Sequence, residues 1–338
     1  MTLEEAMYIG AEAIGKHEAR LLLSQSIGLT PTEIILNTNQ PLDEPAKGAF
    51  LAAVERRKAH EPLQYIIGQW EFMGLPMITD SRALIPRPET ELLVEEALKY
   101  IHKLIQTAIN DRQHGVNCSD MQSRQIKILD VCTGSGCIAV AIARLADATT
   151  VPSENAADSM SIAVTGPGPG ITITATDISH DALALAAENA ALNGVSNKIR
   201  FMQCDLLNDF NNRVKLVGSS NPGNLRENNA SHDSTPQLFD IIISNPPYIP
   251  TAELNTLQPE LSHEPRQALD GGPDGLDPYR RLIPQTMKYL APDGVLLLEI
   301  GPPAVEGIMK DAGYGIVRMI DDYAGLPRVL VGRDPKQR

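Results

Sequence analysis

The tetrapeptide Asn245-Pro246-Pro247-Tyr248 places a carboxamide side chain beside two prolines, directly after the apolar segment from Phe239 to Ile243. That segment is short and rich in β-branched residues, which predicts a buried strand. Proline fixes φ and lacks a backbone N–H, so the loop after the strand should be stiff. We therefore expect Asn245 and the neighbouring carbonyls to be fixed hydrogen-bonding groups at the carboxyl end of a strand, where open α/β sheets bind ligands. A proline-rich turn without a ligand is the alternative.

Three further polar segments follow predicted strands. The turn Cys132-Thr133-Gly134-Ser135-Gly136 precedes a helix, and its glycines allow the backbone to approach a ligand closely. Asp177 ends a second strand, where a ribose is usually bound, although a helix N-cap or a turn acid is the alternative. Asp205, followed by Leu206, ends a third strand. This order is typical of a Rossmann-like sheet that holds an adenosyl ligand, and the lack of G-x-G-x-x-G disfavours a nicotinamide dehydrogenase.

Arg87 stands between Pro86 and Pro88, at the start of a predicted helix. A guanidinium held by two prolines is well placed to meet a carboxylate. We therefore include Arg87 among the candidate binding residues of the site.

The elements that must position these residues alternate between strands and helices. The pattern predicts strands over 126–131, 171–176, 199–206, 239–243, 295–300, 316–320 and 328–331, with helices over 137–145, 181–193, 278–289 and 304–312. Such alternation predicts an α/β fold with a mostly parallel sheet covered on both faces.

The predicted domain organisation has three parts. Residues 1–64 are expected to form a small all-helical domain, with capping boxes at Thr2 and Thr30, and residues 65–83 a hairpin connector. Residues 84–338 form the α/β domain. Within it we expect a loop over 110–125 and flexible insertions over 147–170 and 211–237, where the composition is of low complexity or rich in Asn, Ser and Gly.

Composition narrows the function classes. The 338 residues carry a formal net charge of -13, which argues against stable nucleic-acid binding. The four cysteines form no C-x-x-C pair and no zinc-ligand spacing, so we expect no metal and a reduced, cytoplasmic protein: Cys118, Cys132, Cys137 and Cys204. Neither a signal peptide nor a membrane-spanning segment is predicted.

Taken together, the motifs resemble the HemK/PrmC family of protein-(glutamine-N5) methyltransferases, which act on peptide chain release factors. The segments that carry the resemblance lie along nearly the whole chain outside the two insertions: Glu61 to Ile66, Leu84 to Glu91, Leu129 to Ile138, Asp177 to Ser179, Asn245 to Ile249, His263 to Arg266, Ala268 to Gly272, Arg280-Arg281 and Glu299 to Gly301.

The resemblance implies a helical substrate-recognition domain before a class I methyltransferase domain that uses S-adenosyl-L-methionine. Its substrate would be the glutamine of the Gly-Gly-Gln motif in class I release factors. Cys132 to Gly136 would hold the methionine end of the cofactor, Asp177 its ribose, and Asp205 with Leu206 the adenine side. The catalytic segment Asn245 to Tyr248 would hold the substrate glutamine, with Asn245 also near the cofactor.

The chain departs from the family pattern at two places. Cys132 stands where the family often has glycine, which we expect to be tolerated if the residue keeps a negative φ. Pro302-Pro303 follow Glu299-Ile300-Gly301, where the family often has a nearby glutamine.

Alternative functions stay open on the sequence. A ribosomal-protein glutamine poses the same chemical problem, and so does the N6 nitrogen of adenine, although the acidic charge disfavours a nucleic acid. A non-catalytic binding module is the alternative from another class, and cofactor binding would distinguish it.

Overall fold

The computed structural model describes residues 1–113, 125–146, 170–208, 210 and 237–335. Apart from Gly170 and Gln237, both predicted insertions lie outside the described residues, as does Cys118.

The N-terminal part is a bundle of short helices around its own apolar core. The five helices are α1 (Leu3–Ile14), α2 (Lys16–Ile27), α3 (Pro31–Leu36), α4 (Glu44–Lys58) and α5 (Leu63–Ile67). Both predicted capping boxes are confirmed, since Thr2 and Thr30 exchange hydrogen bonds with Glu5 and Glu33. Phe50 is completely buried at the centre of this bundle.

A two-stranded hairpin follows, but it is shorter than predicted. Strands β1 (Gln69–Phe72) and β2 (Leu75–Ile78) pair in antiparallel fashion. The segment Tyr65 to Ile67, expected within the connector, is part of helix α5 instead. Pro62 starts that helix and Gly68, with φ of +79°, ends it, so the end signals outweigh the strand preference of the isoleucines.

The larger domain contains a seven-stranded sheet, which confirms the predicted α/β, Rossmann-like fold class. Its strands are β3 (Ile126–Val131), β4 (Ile171–Asp177), β5 (Ile199–Gln203), β6 (Phe239–Ser244), β7 (Leu290–Glu299), β8 (Tyr314–Asp321) and β9 (Pro327–Pro335). The strand order is β5-β4-β3-β6-β7-β9-β8. The pairs from β5 to β7 are parallel, and β9 runs antiparallel to both of its neighbours, β7 and β8.

Helices cover both faces of this sheet. The remaining helices are α6 (Pro88–Gln113), α7 (Cys137–Leu145), α8 (His180–Leu192), α9 (Asp277–Thr286) and α10 (Val305–Ala312). The first three pack on one face with Ile241 and Ile243, and the last two on the other with Ile242. Burial on both faces explains why the central strands are continuous apolar runs.

Helix α6 is longer than expected. The sequence predicts a loop over 110–125, whereas the helix extends to Gln113. Residues 110–113 are polar but contain neither glycine nor proline, so nothing in them breaks the helix. Within the described ranges, no helix is both long enough and apolar enough to cross a bilayer.

Strand register brings the candidate residues to one edge of the sheet. Four residues on adjacent strands share one row: Thr176 of β4, Val131 of β3, Ser244 of β6 and Leu298 of β7. The next residues along these strands therefore also stand side by side: Asp177, Cys132, Asn245 and Glu299. The fold thus gathers side chains that are far apart in the sequence.

Candidate functional site

The edge of the sheet borders two connected openings. A cavity is lined by most of the predicted binding residues: Arg87, Cys132, Thr133, Gly134, Ser135, Asp177, Asp205, Leu206, Asn245 and Pro247. A neighbouring groove runs between the helical bundle and the larger domain, and Pro246 and Tyr248 line it. Asn245 and Arg87 line both openings, so they stand where the cavity meets the groove.

Gly136 was also predicted to bind the cofactor, but its surroundings differ from those of the other residues of the turn. It does not line the cavity, and a Cβ atom there would lie 2.8 Å from the Ala186 Cβ. With its φ of +78°, this glycine lets α8 pack closely against the turn.

The loop that contains Asn245 is held through Tyr248 by three glycines. A Cβ atom on Gly271 would lie 2.7 Å from the Tyr248 Cα, and one on Gly275 would clash with the Tyr248 carbonyl oxygen. On the other side, a Cβ atom on Gly301 would lie 2.5 Å from the Tyr248 Cδ2. The backbone and ring of Tyr248 therefore fit a space that only glycine leaves open.

Replacing Gly301 with alanine is expected to displace the Tyr248 ring and lower kcat about tenfold, because small misplacements in a site are costly. Cofactor affinity should stay within about twofold. Steady-state kinetics and calorimetry of Gly301→Ala check this. Gly307→Ala is the matched control, since a Cβ atom there meets nothing within 4 Å. Unchanged kcat in Gly301→Ala would contradict the packing role.

The side chain of Asn245 makes one hydrogen bond within the described part of the chain. Its Nδ2 group donates to Thr90 Oγ1 at 3.3 Å. Thr90 lies in the first turn of α6 and is buried, and Asn245 itself is partly exposed to the openings. The Nδ2 end of the carboxamide is therefore engaged, and Oδ1 is the atom left for a ligand.

The Cys132–Gly136 turn corrects one expectation. Cys132 has φ of +60°, not the negative value on which its expected tolerance depended. The chain must reverse sharply after β3 while the Thr133 N–H donates to the Thr176 carbonyl at 2.9 Å, and this forces the left-handed conformation. The strain in a non-glycine residue there is on the order of 1–2 kcal/mol.

Asp177 is tied to the same turn by hydrogen bonds. Its Oδ2 accepts from the Gly134 N–H at 2.9 Å, and its Oδ1 accepts from the Ser179 N–H at 2.9 Å. Burial raises the pKa of Asp177, while these backbone donors favour its charged form. The carboxylate is thus fixed beside the cavity with lone pairs left over for hydroxyl donors. Asp177 is not the N-cap of α8, because Ser179 caps that helix, whereas the bond from the Ser179 N–H is the contact expected of a turn acid.

Asp205 is more exposed and already has partners. Its Oδ2 accepts from the Arg281 guanidinium and from Asn208 Nδ2, the latter at 3.1 Å. Leu206, which follows, is buried and has φ of +53°. Both residues line the cavity, as does Ile178.

Arg87 meets a carboxylate of the chain itself. Its guanidinium pairs with Glu264, whose second oxygen accepts from the Ile85 N–H at 3.0 Å. Glu264 is almost fully buried and Arg87 is about one third exposed. Since an arginine has five N–H donors, others stay available toward the cavity.

Asp130, at the end of β3, is a residue to which sequence reasoning assigned no role. It is completely buried, accepts from the Thr133 hydroxyl at 2.6 Å, and its Oδ1 has no hydrogen-bond partner within the described residues. Burial raises its pKa to about 7. The available signal in the sequence was its position, two residues before the turn that begins at Cys132.

Replacing Asp130 with asparagine should flatten the pH dependence of stability. Between the ordinary pKa of 3.8 and the folded-state value of about 7, the folded protein keeps a proton that the unfolded chain loses. The free energy of unfolding therefore falls as pH rises across this range. Asparagine accepts from Thr133 without titrating. Urea denaturation between pH 4 and 8 should show the variant gaining several kcal/mol relative to wild type, since each pKa unit is about 1.4 kcal/mol. If the free energy of unfolding changed with pH in the same way in the variant and the wild type, the prediction would be contradicted.

The cavity's chemistry fits S-adenosylmethionine. Ser135 Oγ is buried without a hydrogen-bond partner within the described residues, although Ser135 lines the cavity. A Cβ atom on Gly134 would meet no protein atom within 4 Å, so this turn leaves room for a ligand. Asp177 offers acceptors for ribose hydroxyls, and apolar walls such as Ile178 and Leu206 suit a purine.

Comparison with known proteins gives two family-model matches. The PrmC N-terminal domain matches residues 10–68, which is most of the helical bundle. The ubiE/COQ5 methyltransferase family matches residues 98–211.

Similar full-length proteins carry one name. The release factor glutamine methyltransferase of Thermodesulfovibrio yellowstonii is 36% identical over 82% of this chain and 78% of its own. That of Geobacter sulfurreducens is 34% identical over 94% and 88%. Among solved structures, a ribosomal protein L11 methylase from Lactobacillus delbrueckii subsp. bulgaricus is 19% identical over 75% of this chain and 81% of that one, with a TM-score of 0.37. The identity and coverage of the full-length relatives show that the chain belongs to the release factor glutamine methyltransferase family.

Proposed function

We propose that this protein transfers a methyl group from S-adenosylmethionine to the side-chain amide nitrogen of the glutamine in the Gly-Gly-Gln motif of class I release factors. The similar proteins are named for glutamine methylation of release factors, which supports this substrate. The cytoplasmic location expected from the sequence is part of the same proposal, because release factors act there.

The observation that carries the proposal is the position of Asn245 and the hydrogen bond of its side chain. Its Nδ2 is held by Thr90, and it lines both the cavity and the groove. Its Oδ1 can therefore accept a hydrogen bond from a carboxamide that enters through the groove. The Pro246 carbonyl, which accepts no backbone hydrogen bond within the described residues, can accept a second.

Two acceptors suit the chemistry of an amide nitrogen. This nitrogen is a poor nucleophile, because its lone pair is delocalised into the carbonyl. When bound, S-adenosylmethionine supplies an electrophilic methyl group. Hydrogen bonds from both amide hydrogens to Asn245 and Pro246 orient the nitrogen and favour its pyramidalisation, while Tyr248 packs beside the loop. Orientation of this kind lowers the barrier by up to about 7–11 kcal/mol, so no general base is needed for the transfer. The S–CH₃ bond would break as the N–CH₃ bond forms, with S-adenosylhomocysteine as the leaving group, and the proton lost by the nitrogen would pass to solvent.

The groove supports a protein substrate over a free amino acid. One wall consists of the helical bundle, through Glu18, Arg57, Leu63 and Gln64, and the other contains Glu260 and Leu261. Arg57 joins the walls, because it pairs with Glu18 at 2.7 Å and with Glu260 at 2.9 Å. We include in the proposal that residues 1–64 recognise the release factor.

The test is methyl transfer with labelled S-adenosylmethionine. Separate reactions contain a purified class I release factor, ribosomal proteins and DNA, and peptide mass spectrometry locates the methyl group. We expect one methyl group, on the glutamine of Gly-Gly-Gln, and none when that glutamine is replaced with alanine. Exclusive labelling of ribosomal protein or of DNA would overturn the proposal, and so would labelling of the factor at another residue.

A further inference from the structure

A chain of buried hydrogen bonds leads from Asn245 to an acid on the neighbouring strand. Thr90 Oγ1, which accepts from Asn245 Nδ2, donates its own proton to Glu299 Oε2 at 2.7 Å. Glu299 is 1% exposed and is the last residue of β7. We infer that Thr90 and Glu299 are positioning residues, which determine the end of the Asn245 carboxamide that faces the substrate.

The direction of these bonds follows from the donors available. A threonine hydroxyl has one proton, and here Glu299 Oε2 accepts it. Burial raises the pKa of Glu299, while donation from the Thr90 and Tyr248 hydroxyls favours its charged form. The Thr90 oxygen then presents only lone pairs to Asn245. A flipped carboxamide would place Oδ1 against those lone pairs and leave two buried acceptors without donors, which is unfavourable. Glu299 therefore fixes the Asn245 amide through Thr90.

The importance of this orientation for catalysis rests on the proposed function. A glutamine amide nitrogen carries two hydrogens and needs acceptors from the enzyme. With Nδ2 turned toward Thr90, Asn245 presents Oδ1, which accepts. In the flipped state Asn245 would present an NH₂ group to another NH₂ group, and the two donors would repel.

Glu299 is itself fixed by contacts with the same loop and with α9. Its Oε1 accepts from the Tyr248 hydroxyl at 3.4 Å, and its backbone carbonyl accepts from the Tyr279 hydroxyl at 2.8 Å. One buried acid thus contacts both the support of Asn245 and the ring of Tyr248. Through them it aligns the first and last residues of the catalytic tetrapeptide.

The kinetic test uses three threonine variants. Thr90→Val removes the hydroxyl at nearly constant volume, and we expect kcat for release factor methylation to fall at least about tenfold, the cost of an unsatisfied buried polar group. The dissociation constant of S-adenosylmethionine should change less than twofold. Thr90→Ser should recover most of kcat. Thr286→Val, which removes another buried hydroxyl that lines neither the cavity nor the groove, should leave kcat unchanged.

Coupling tests the part played by Glu299. Because Thr90 and Glu299 lie on one chain of contacts, combining Thr90→Val with Glu299→Gln should lower kcat no further than the more damaging single change. Multiplying losses would show that Glu299 acts separately, and would overturn its role. An active wild type with unchanged kcat in Thr90→Val would overturn the inference while leaving the proposed function intact.

A second readout needs no substrate. In ¹⁵N-labelled protein, the side-chain NH₂ signals of Asn245 are assigned by their loss in Asn245→Ala. We expect them to move in Thr90→Val and in Glu299→Gln, and to stay in place in Thr286→Val. Signals that stay in place in Thr90→Val would overturn the inference even if the protein methylated none of the offered substrates.

Discussion

Replacing Asn245 with alanine is expected to lower kcat for release factor methylation at least about 100-fold, the size of effect that follows when a reacting group loses its alignment. Alanine removes the Oδ1 acceptor and the bond from Nδ2 to Thr90 together. Affinity for S-adenosylmethionine should change less than threefold, because the turn at Gly134 and the Asp177 carboxylate stay in place. Single-turnover kinetics and calorimetry measure the two quantities.

A matched asparagine separates this effect from a general loss of stability. Asn193 ends α8 and donates to the Pro76 carbonyl at 2.9 Å, away from the cavity and the groove. Asn193→Ala should therefore keep its kcat. An Asn245→Ala protein that binds the cofactor and turns over at the wild-type rate would exclude Asn245 from catalysis.

Strand-end positions could be predicted from the sequence because parallel strands have a strong local pattern. Short segments rich in apolar or β-branched residues and followed by a polar residue placed Asp177 and Asn245 at one edge of the sheet, and the register confirms that placement. The same reasoning applied to β7 would have identified Glu299, which follows a run of four apolar residues. The signal was present but no role was assigned to it.

Contacts across long sequence separations were not predictable in this way. Thr90 lies 155 residues before Asn245, and no local pattern links a threonine in a helix to that loop. Arg87 was expected to meet a carboxylate, but its partner Glu264 lies in another loop of the same chain. Such pairs depend on how helices pack against the sheet, which single-residue preferences do not encode.

Backbone conformation was the other source of error. The isoleucines at 66 and 67 favour a strand, yet the left-handed Gly68 ends a helix there. Cys132 adopts a positive φ because tertiary hydrogen bonds to β4 require it. In both cases a tertiary or end-of-element constraint outweighs the intrinsic preference of the residue.

Replacing Asp177 with alanine is expected to weaken S-adenosylmethionine binding about 100-fold. The carboxylate can accept from two ribose hydroxyls, and charge-assisted hydrogen bonds contribute about 1.5–3 kcal/mol each. Its loss also leaves the Gly134 and Ser179 N–H groups without their acceptor, which loosens the turn. At saturating cofactor kcat should fall much less than affinity, because Asn245 is unaffected. Calorimetry with S-adenosylhomocysteine measures the dissociation constant.

Two controls test whether the loss of affinity comes from the lost contact with the ribose. Asp181, four residues later, has a side chain that is 80% exposed, so Asp181→Ala removes the same charge without touching the cavity. The Asp181→Ala variant should bind S-adenosylhomocysteine with the wild-type dissociation constant. The second control is S-adenosylhomocysteine with a 2′-deoxyribose, which should lose less affinity than the parent ligand on Asp177→Ala, because one acceptor–hydroxyl contact is already missing. If both ligands weakened equally, the carboxylate would be acting through the conformation of the turn, and the ribose assignment would be wrong.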